Sequence, residues 1–302
     1  MMRVLEKIQR HGLLGSAAAA GNVIWRRFRP TYHQWRFSNA PRYADPSLEE
    51  LATIERDLRS LQIEIHDYAP EVDRFKDFQN DQWFPTHYHD GLTGGVWDEK
   101  LLEHWIAAER LDLLSFDKDD SYVDVAAGGS PWTKALRERL GLKAFAIDLA
   151  PIPASFRDLP YYRSENATRS CFPDNSIRGA SLQCAYEMFM GQDDSELISE
   201  LARILKPGGK AVILPLYMHT HHCAYATAEY FGRSYADVGA KEYVRFDCYG
   251  VPSSRKYDAA TLKKRVLNAI TEAGLKYRLL ALRNKGELGS NIYCHFILEI
   301  EK

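Results

Sequence analysis

The sequence predicts an α/β protein built on a mostly parallel sheet with helices on both faces. Three observations carry that expectation. From about residue 98 the chain alternates β-rich runs with helical ones, the order that parallel crossover connections require. Glycine and proline punctuate the changes, as in "GGSP" at 128–131 and "KPGG" at 206–209. Of the 302 residues, 45% are apolar and 26% charged, with a formal net charge of −2, which suits a soluble chain with one large core.

The elements follow in order. Residues 1–36 hold seven Lys and Arg against one acid, Glu6. Arg3, Lys7 and Arg10 share one helical face, and Val4, Leu5 and Ile8 another. Such a helix can lie on anionic lipid, so peripheral contact with a membrane is one expectation for this segment. The other is a helix packed through Leu13, Leu14, Ile24 and Trp25, its charges solvated. The apolar stretch at 13–25 is too short and glycine-broken to span a bilayer, and Arg26, Arg27 and Arg29 follow it, so export is not expected. Five scattered cysteines (Cys171, Cys184, Cys223, Cys248, Cys294) form no CxxC pair and read as reduced thiols in the cytoplasm. The near-neutral charge argues against nucleic acid as a partner.

Ser47 and Glu50 form a capping box at the head of a helix reaching Leu61. The stretch "DQWFPTHYHDGLTGGVWDEK" (81–100) is rich in histidine and aromatic residues and reads as a lid, or as a plain loop over the core. Residues 1–95 are taken as an N-terminal extension and 96–302 as the main domain. Apolar spacing at Leu101, Leu102, Trp105, Ile106 and Leu111 predicts a helix over 98–114. A strand follows at 121–127, then a helix with Pro131 in its first turn and Gly141 closing it. Strands are predicted at 143–149, 179–185 and 210–217, with a helix at 195–205 before the last. Another helix at 259–274 precedes strands at 275–282 and 291–301. Residues 219–258, rich in tyrosine, read as an insertion that caps the site.

In an open parallel sheet, ligands bind beyond the carboxyl ends of the strands. The turn "VDVAAGGSPW" sits at the first such end, with small residues that admit a ligand to the backbone. Ser130 can cap the next helix. Asp148 closes the second strand, where an acid can accept from both hydroxyls of a ribose.

These segments, with "SENATRSCFPDNSIRG" and "ELARILKPGG", resemble the class I S-adenosylmethionine-dependent methyltransferases over roughly residues 98–300. The family's acid-x-G-x-G-x-G loop stands here as Asp124, Ala126, Gly128 and Ser130, so only the middle glycine remains. Asn166 replaces the usual aspartate near the adenine, and Arg178 the aspartate opening strand four. "RILKPGG" is the most specific match. The resemblance implies a Rossmann-like doubly wound sheet of seven strands whose last strand is antiparallel. It implies S-adenosylmethionine as cofactor, S-adenosylhomocysteine as product, and Asp124, Ala126, Gly128, Ser130, Asp148, Asn166, Ala167 and Cys184 as cofactor contacts.

The resemblance places the acceptor after strands four and five. Glu187 would face the methyl group, and one of His219, His221 and His222 would contact the acceptor or serve as base. No HExxH or carboxylate pattern accompanies the histidines, so no metal is expected. The expected reaction is O-methylation of a sugar, glycan or other small molecule. The alternatives are a methyltransferase-like binding module without catalysis and a protein or RNA methyltransferase, although "CAYE" stands where an NPPY-like tetrad would be.

Overall fold

In the computed structural model the alternating elements form one eight-stranded sheet with a three-stranded sheet beside it. The structure describes residues 28–302. The predicted basic face at Arg3, Lys7 and Arg10 and the apolar residues Leu13, Leu14, Ile24 and Trp25 lie outside them. The large sheet runs in the order β1 (Ile65–Tyr68), β10 (Lys276–Leu282), β11 (Phe296–Glu301), β6 (Leu205–Leu214), β5 (Ile177–Gln183), β2 (Ser121–Val125), β3 (Lys143–Asp148) and β4 (Tyr162–Ser164). Its last strand, β11, is antiparallel to both neighbours, and every other pair is parallel. The mostly parallel Rossmann-like sheet is therefore present, and the seven expected strands are joined by an eighth.

That eighth strand is β1, which comes from the N-terminal extension and pairs with β10 from Ile65↔Leu279 to Tyr68↔Leu282. Helix α1 (Leu48–Ser60) leads into it and starts at the expected capping box, with the Glu50 N–H on Ser47 Oγ at 3.2 Å and the Ser47 N–H on Glu50 Oε2 at 2.8 Å. Glu55 ties α1 to the sheet through Arg283 (2.5 Å) and His295 (3.0 Å). Residues 48–80, including helix α2 (Val72–Asn80), thus belong to the packed body of the molecule.

Helices α3 (Trp97–Leu111) and α4 (Trp132–Leu140) cover one face of the sheet, and α1, α5 (Asp193–Ile204) and the helical run at 259–272 cover the other. Period-two alternation sends Tyr122 into one core and Val123 and Val125 into the other, so β2 is buried throughout. Each such large apolar side chain contributes about 1.5–3 kcal/mol when fully buried. Helix α4 ends on Gly141, whose φ of 68° is the left-handed cap expected of it.

Two local expectations differ. The last strand begins at Phe296 rather than at 291, because the N–H groups of Tyr293 and Cys294 donate to the Glu99 carboxylate on α3 instead of a strand neighbour (3.0 and 3.2 Å). The capping insertion forms a sheet of its own, β8 (Lys241–Arg245), β7 (Cys223–Thr227) and β9 (Ser254–Lys256), with β7 at its centre. Arg178, the departure noted in strand four, sits at the amino end of β5 and pairs with Asp120 at 2.5 Å. It is at the opposite end of the sheet from the strand termini where ligands bind.

Candidate active site

The turn after β2 takes the path of a glycine loop although two of its glycines are missing. Ala126 has φ 55° and Gly128 φ 54°. Alanine held in that left-handed region costs about 1 kcal/mol, so the surrounding structure imposes the turn. The Gly128 N–H donates to Asp148 Oδ2 at 2.7 Å, and the Ala150 N–H to Asp148 Oδ1 at 2.7 Å. Asp148 therefore fastens the loop after β2 to the loop after β3. A carboxylate has about four lone-pair sites, so two remain for further donors. Ser130 Oγ accepts the Trp132 N–H at 3.2 Å, but the N-cap of the helix is Pro131, without a side-chain cap, rather than the expected Ser130; the Ser130 carbonyl accepts the Tyr162 hydroxyl at 2.8 Å.

Asp124 lies at the end of β2, fully buried, and burial with the nearby Asp148 charge holds its carboxyl well above the usual range. Its Oδ2 has no hydrogen-bond partner among the described residues. An orphaned buried carboxyl oxygen calls for a donor from a ligand, and the ammonium of S-adenosylmethionine offers one. A cavity of about 190 Å³ lies beside Asp148, lined also by Gly128, Ile147, Ile152 and Tyr162. Asn166 uses its side-chain oxygen to accept from the Thr168 N–H at 2.9 Å, and Ala167 beside it is buried.

Residues 82–89 form one wall of an open cleft of about 800 Å³, with Gly129, Pro131 and Phe156 opposite. Tyr88 of this segment meets His104 Nε2 at 3.1 Å. Burial holds His104 well below its ordinary value, and so neutral. The segment read as a lid or as a loop over the core thus shares this cleft with the loop after β2, while its Phe84 packs in the core.

A second group of polar side chains gathers past β5 and β6. Cys184, at φ 53°, ends β5 and places its sulfur 3.2 Å from the Tyr217 hydroxyl, 3.8 Å from Glu187 Oε1 and 3.9 Å from the Tyr293 hydroxyl. Glu187 is buried and its Oε2 is unpartnered among the described residues. From α3, Lys100 pairs with both oxygens of Glu103 (2.9 and 3.0 Å), and the Tyr293 hydroxyl donates to Glu103 at 3.2 Å. Burial raises the carboxyls of Glu103 and Glu99, the latter to about 8 with the Glu103 charge adding to it. Lys256 of β9 is buried with its Nζ 3.6 Å from the centre of the Tyr217 ring and 3.0 Å from Ser254 Oγ. Burial lowers its affinity for a proton, and the charge of Glu187 opposes that effect.

Among the expected residues, the structure brings Asp124, Gly128 and Asp148 together, and Cys184 with Glu187. The histidines divide. His219 and His221 lie ring to ring at 4.4 Å, with His221 Nε2 on the Tyr243 hydroxyl at 2.8 Å; burial lowers both. His222 turns away to Asp237 at 3.2 Å, and Asp237 is itself gripped by Arg255. Lys100, Glu103, Tyr217, Tyr293 and Lys256 escaped the sequence reading. A signal existed on α3 alone: polar residues at 99, 100, 103 and 104 interleave with apolar ones at 101, 102, 105 and 106, which leaves no purely solvated face.

The family model described as "Methyltransferase domain" matches residues 123–213, from β2 to the end of β6. No curated protein matches the sequence. Among solved structures, the chain is similar to the 1,6-didemethyltoxoflavin-N1-methyltransferase of Burkholderia thailandensis, at 11% identity over 79% of this chain and 93% of that one, with a TM-score of 0.45. It is similar also to the geranyl diphosphate C-methyltransferase of Streptomyces coelicolor, solved with Mg2+, geranyl diphosphate and S-adenosyl-L-homocysteine, at 16% identity over 83% and 98%, TM-score 0.41. A third is an S-adenosylmethionine-dependent methyltransferase of Methanosarcina mazei, at 16% identity over 62% and 94%, TM-score 0.40. The matched domain spans the strands whose ends form the loop, the fastening aspartate and the orphaned Asp124, so residues 123–213 carry a methyltransferase domain, as the resemblance to class I S-adenosylmethionine-dependent methyltransferases implies.

Proposed function

We propose that this methyltransferase acts on a hydroxyl oxygen of a small polar acceptor, of the sugar or glycan class, held between the ends of β5 and β6, α3 and the cap sheet. One observation carries the reading: buried ionisable and hydroxyl groups crowd that space, with Glu187 Oε2 unpartnered. An apolar acceptor would leave those groups unsatisfied, whereas a polyol can pair with them.

In this reading Asp148 receives the ribose hydroxyls, and Gly128 lies against the methionine portion. Asp124 faces its cationic end, Ala126 and Ser130 complete the loop, Asn166 and Ala167 border the adenine, and Cys184 stands at the mouth. The cofactor supplies an electrophilic methyl group on a sulfonium. In that transfer the S–CH3 bond would be exchanged for an O–CH3 bond to the acceptor, with S-adenosylhomocysteine as the leaving product, and Glu187 would take the acceptor's proton. Lys256 and Tyr217 orient the acceptor, while residues 82–89 exclude water. His219 and His221 face Tyr43 and Tyr243, and His222 faces Asp237, so none takes the proton here.

Residues 1–36 attach the chain peripherally to anionic membrane at the cytoplasmic face in this account. Support comes from the helical segment at 28–36, where Phe28, Tyr32 and Trp35 recur at i, i+4 and i+7 and Trp35 is 74% exposed. No helix among the described residues is long and apolar enough to cross a membrane.

Methyl transfer from labelled cofactor, screened against nucleotide sugars, glycans, peptides and RNA, tests the acceptor class. Labelled carbohydrate supports the proposal, and labelled peptide or RNA replaces it. Binding of S-adenosylhomocysteine without transfer to any acceptor would favour the binding-module alternative.

A further inference from the structure

The stretch leading into β7 contains a cluster that the proposed methyl transfer does not use. Alternate residues His219, His221 and Cys223 converge, and one ligand atom from each lies within 4.8 Å of the other two. His219 and Cys223 are buried and His221 is half-buried. From this geometry we propose that His219, His221 and Cys223 bind one divalent transition-metal ion of the zinc class at the base of the cap sheet.

Two imidazoles and a thiolate make a nitrogen and sulfur set that suits such an ion, and three protein ligands leave a position for water. The groups around them fit a supporting role. The Tyr243 hydroxyl lies 2.8 Å from His221 Nε2, and the Thr220 hydroxyl 3.2 Å from His219 Nδ1. Each would brace an imidazole through the nitrogen that the metal does not use. Thr220 also lies 3.3 Å from His221 Nδ1, a contact that coordination would replace. Lys241 and Lys256 are near enough to oppose a cation, and Asp45, Glu50 and Asp258 offset them. On binding, the Cys223 S–H bond is exchanged for a sulfur–metal bond and the proton goes to solvent. Because Cys223 begins β7, the central strand of the cap, the ion would pin the cap at the point where it leaves β6. His222, turned to Asp237, takes no part.

Cobalt(II) is the probe, titrated into the full-length chain after chelation and dialysis. The expected result is one ion per chain, with a thiolate-to-metal charge-transfer band and tetrahedral ligand-field absorption, both abolished by competing Zn2+. Cys223→Ala should remove the charge-transfer band, His221→Ala should weaken binding by about tenfold or more, and His222→Ala should change neither. His221 is half-buried, so its variant serves if the Cys223 variant fails to fold. Absence of stoichiometric binding, a charge-transfer band that persists in Cys223→Ala, or equal weakening by His222→Ala would overturn the assignment.

Discussion

The two ends of this site are built by different means. At the cofactor end, short loops after β2 and β3 meet through backbone N–H groups and one aspartate, Asp148, and the charged groups are few. At the acceptor end, side chains from α3, β5, β9 and the segments after β6 and before β11 converge from residues 100 to 293, and nearly all are ionisable or hydroxylated. A cofactor shared by many enzymes asks for a fixed backbone path. An acceptor asks for side-chain chemistry, which can change without disturbing the sheet. On the proposed function, the comparison separates affinity for the cofactor, assigned to Asp148, from turnover, assigned to Glu187 and Lys256.

Exchange of the proposed proton acceptor should have the largest effect. Glu187→Gln is expected to lower the rate of methyl transfer by about 10²–10⁴ while the chain stays folded. Single-turnover kinetics with labelled cofactor reads this, and an unchanged rate would move the base elsewhere. Next comes Glu99→Gln. Burial, helped by Glu103, raises the Glu99 carboxyl from 4.5 to about 8, so folding favours its protonated form. Its contribution to stability is complete below about pH 4.5 and fades as pH rises towards 8. The glutamine variant cannot ionise, so denaturant unfolding across that window should lose this downward slope. Lys256→Met should gain about 1–2 kcal/mol, because a buried ammonium with one hydroxyl partner is replaced by an apolar side chain, yet lose turnover. Less stability with full turnover would place Lys256 in the fold rather than the site. The smallest effect is at Trp35→Ala, which should shift stability by less than about 0.5 kcal/mol yet reduce sedimentation with anionic vesicles. Equal sedimentation of both chains would end the membrane reading.

This division also explains what was legible in the sequence. The turn at 126–130 and the strand-end acid Asp148 carry their chemistry in local spacing, and the parallel sheet followed from the alternation of helical and β-rich runs, whereas KPGG, read as a turn before a strand at 210, lies inside β6. β1 escaped because "IHDY" is four residues long and finds its partner more than two hundred residues later, at Leu279. Lys100 and Glu103 escaped because Tyr293, the residue that meets both, lies some 190 positions further along the chain. His219, His221 and His222 read as one cluster, but consecutive residues project to different sides of the chain, and Asp237 takes the third. Sequence spacing alone could not tell which histidines converge with Cys223.

Calorimetric titration of S-adenosylhomocysteine into three chains tests the separation most directly. The unaltered chain should bind at micromolar levels. Asp148→Ala should bind at least about tenfold more weakly, since charge-assisted hydrogen bonds of ~1.5–3 kcal/mol each are lost, and Glu187→Gln should bind as the unaltered chain does. No binding by the unaltered chain, undiminished binding by Asp148→Ala, or a loss in Glu187→Gln as large as that in Asp148→Ala would contradict the account.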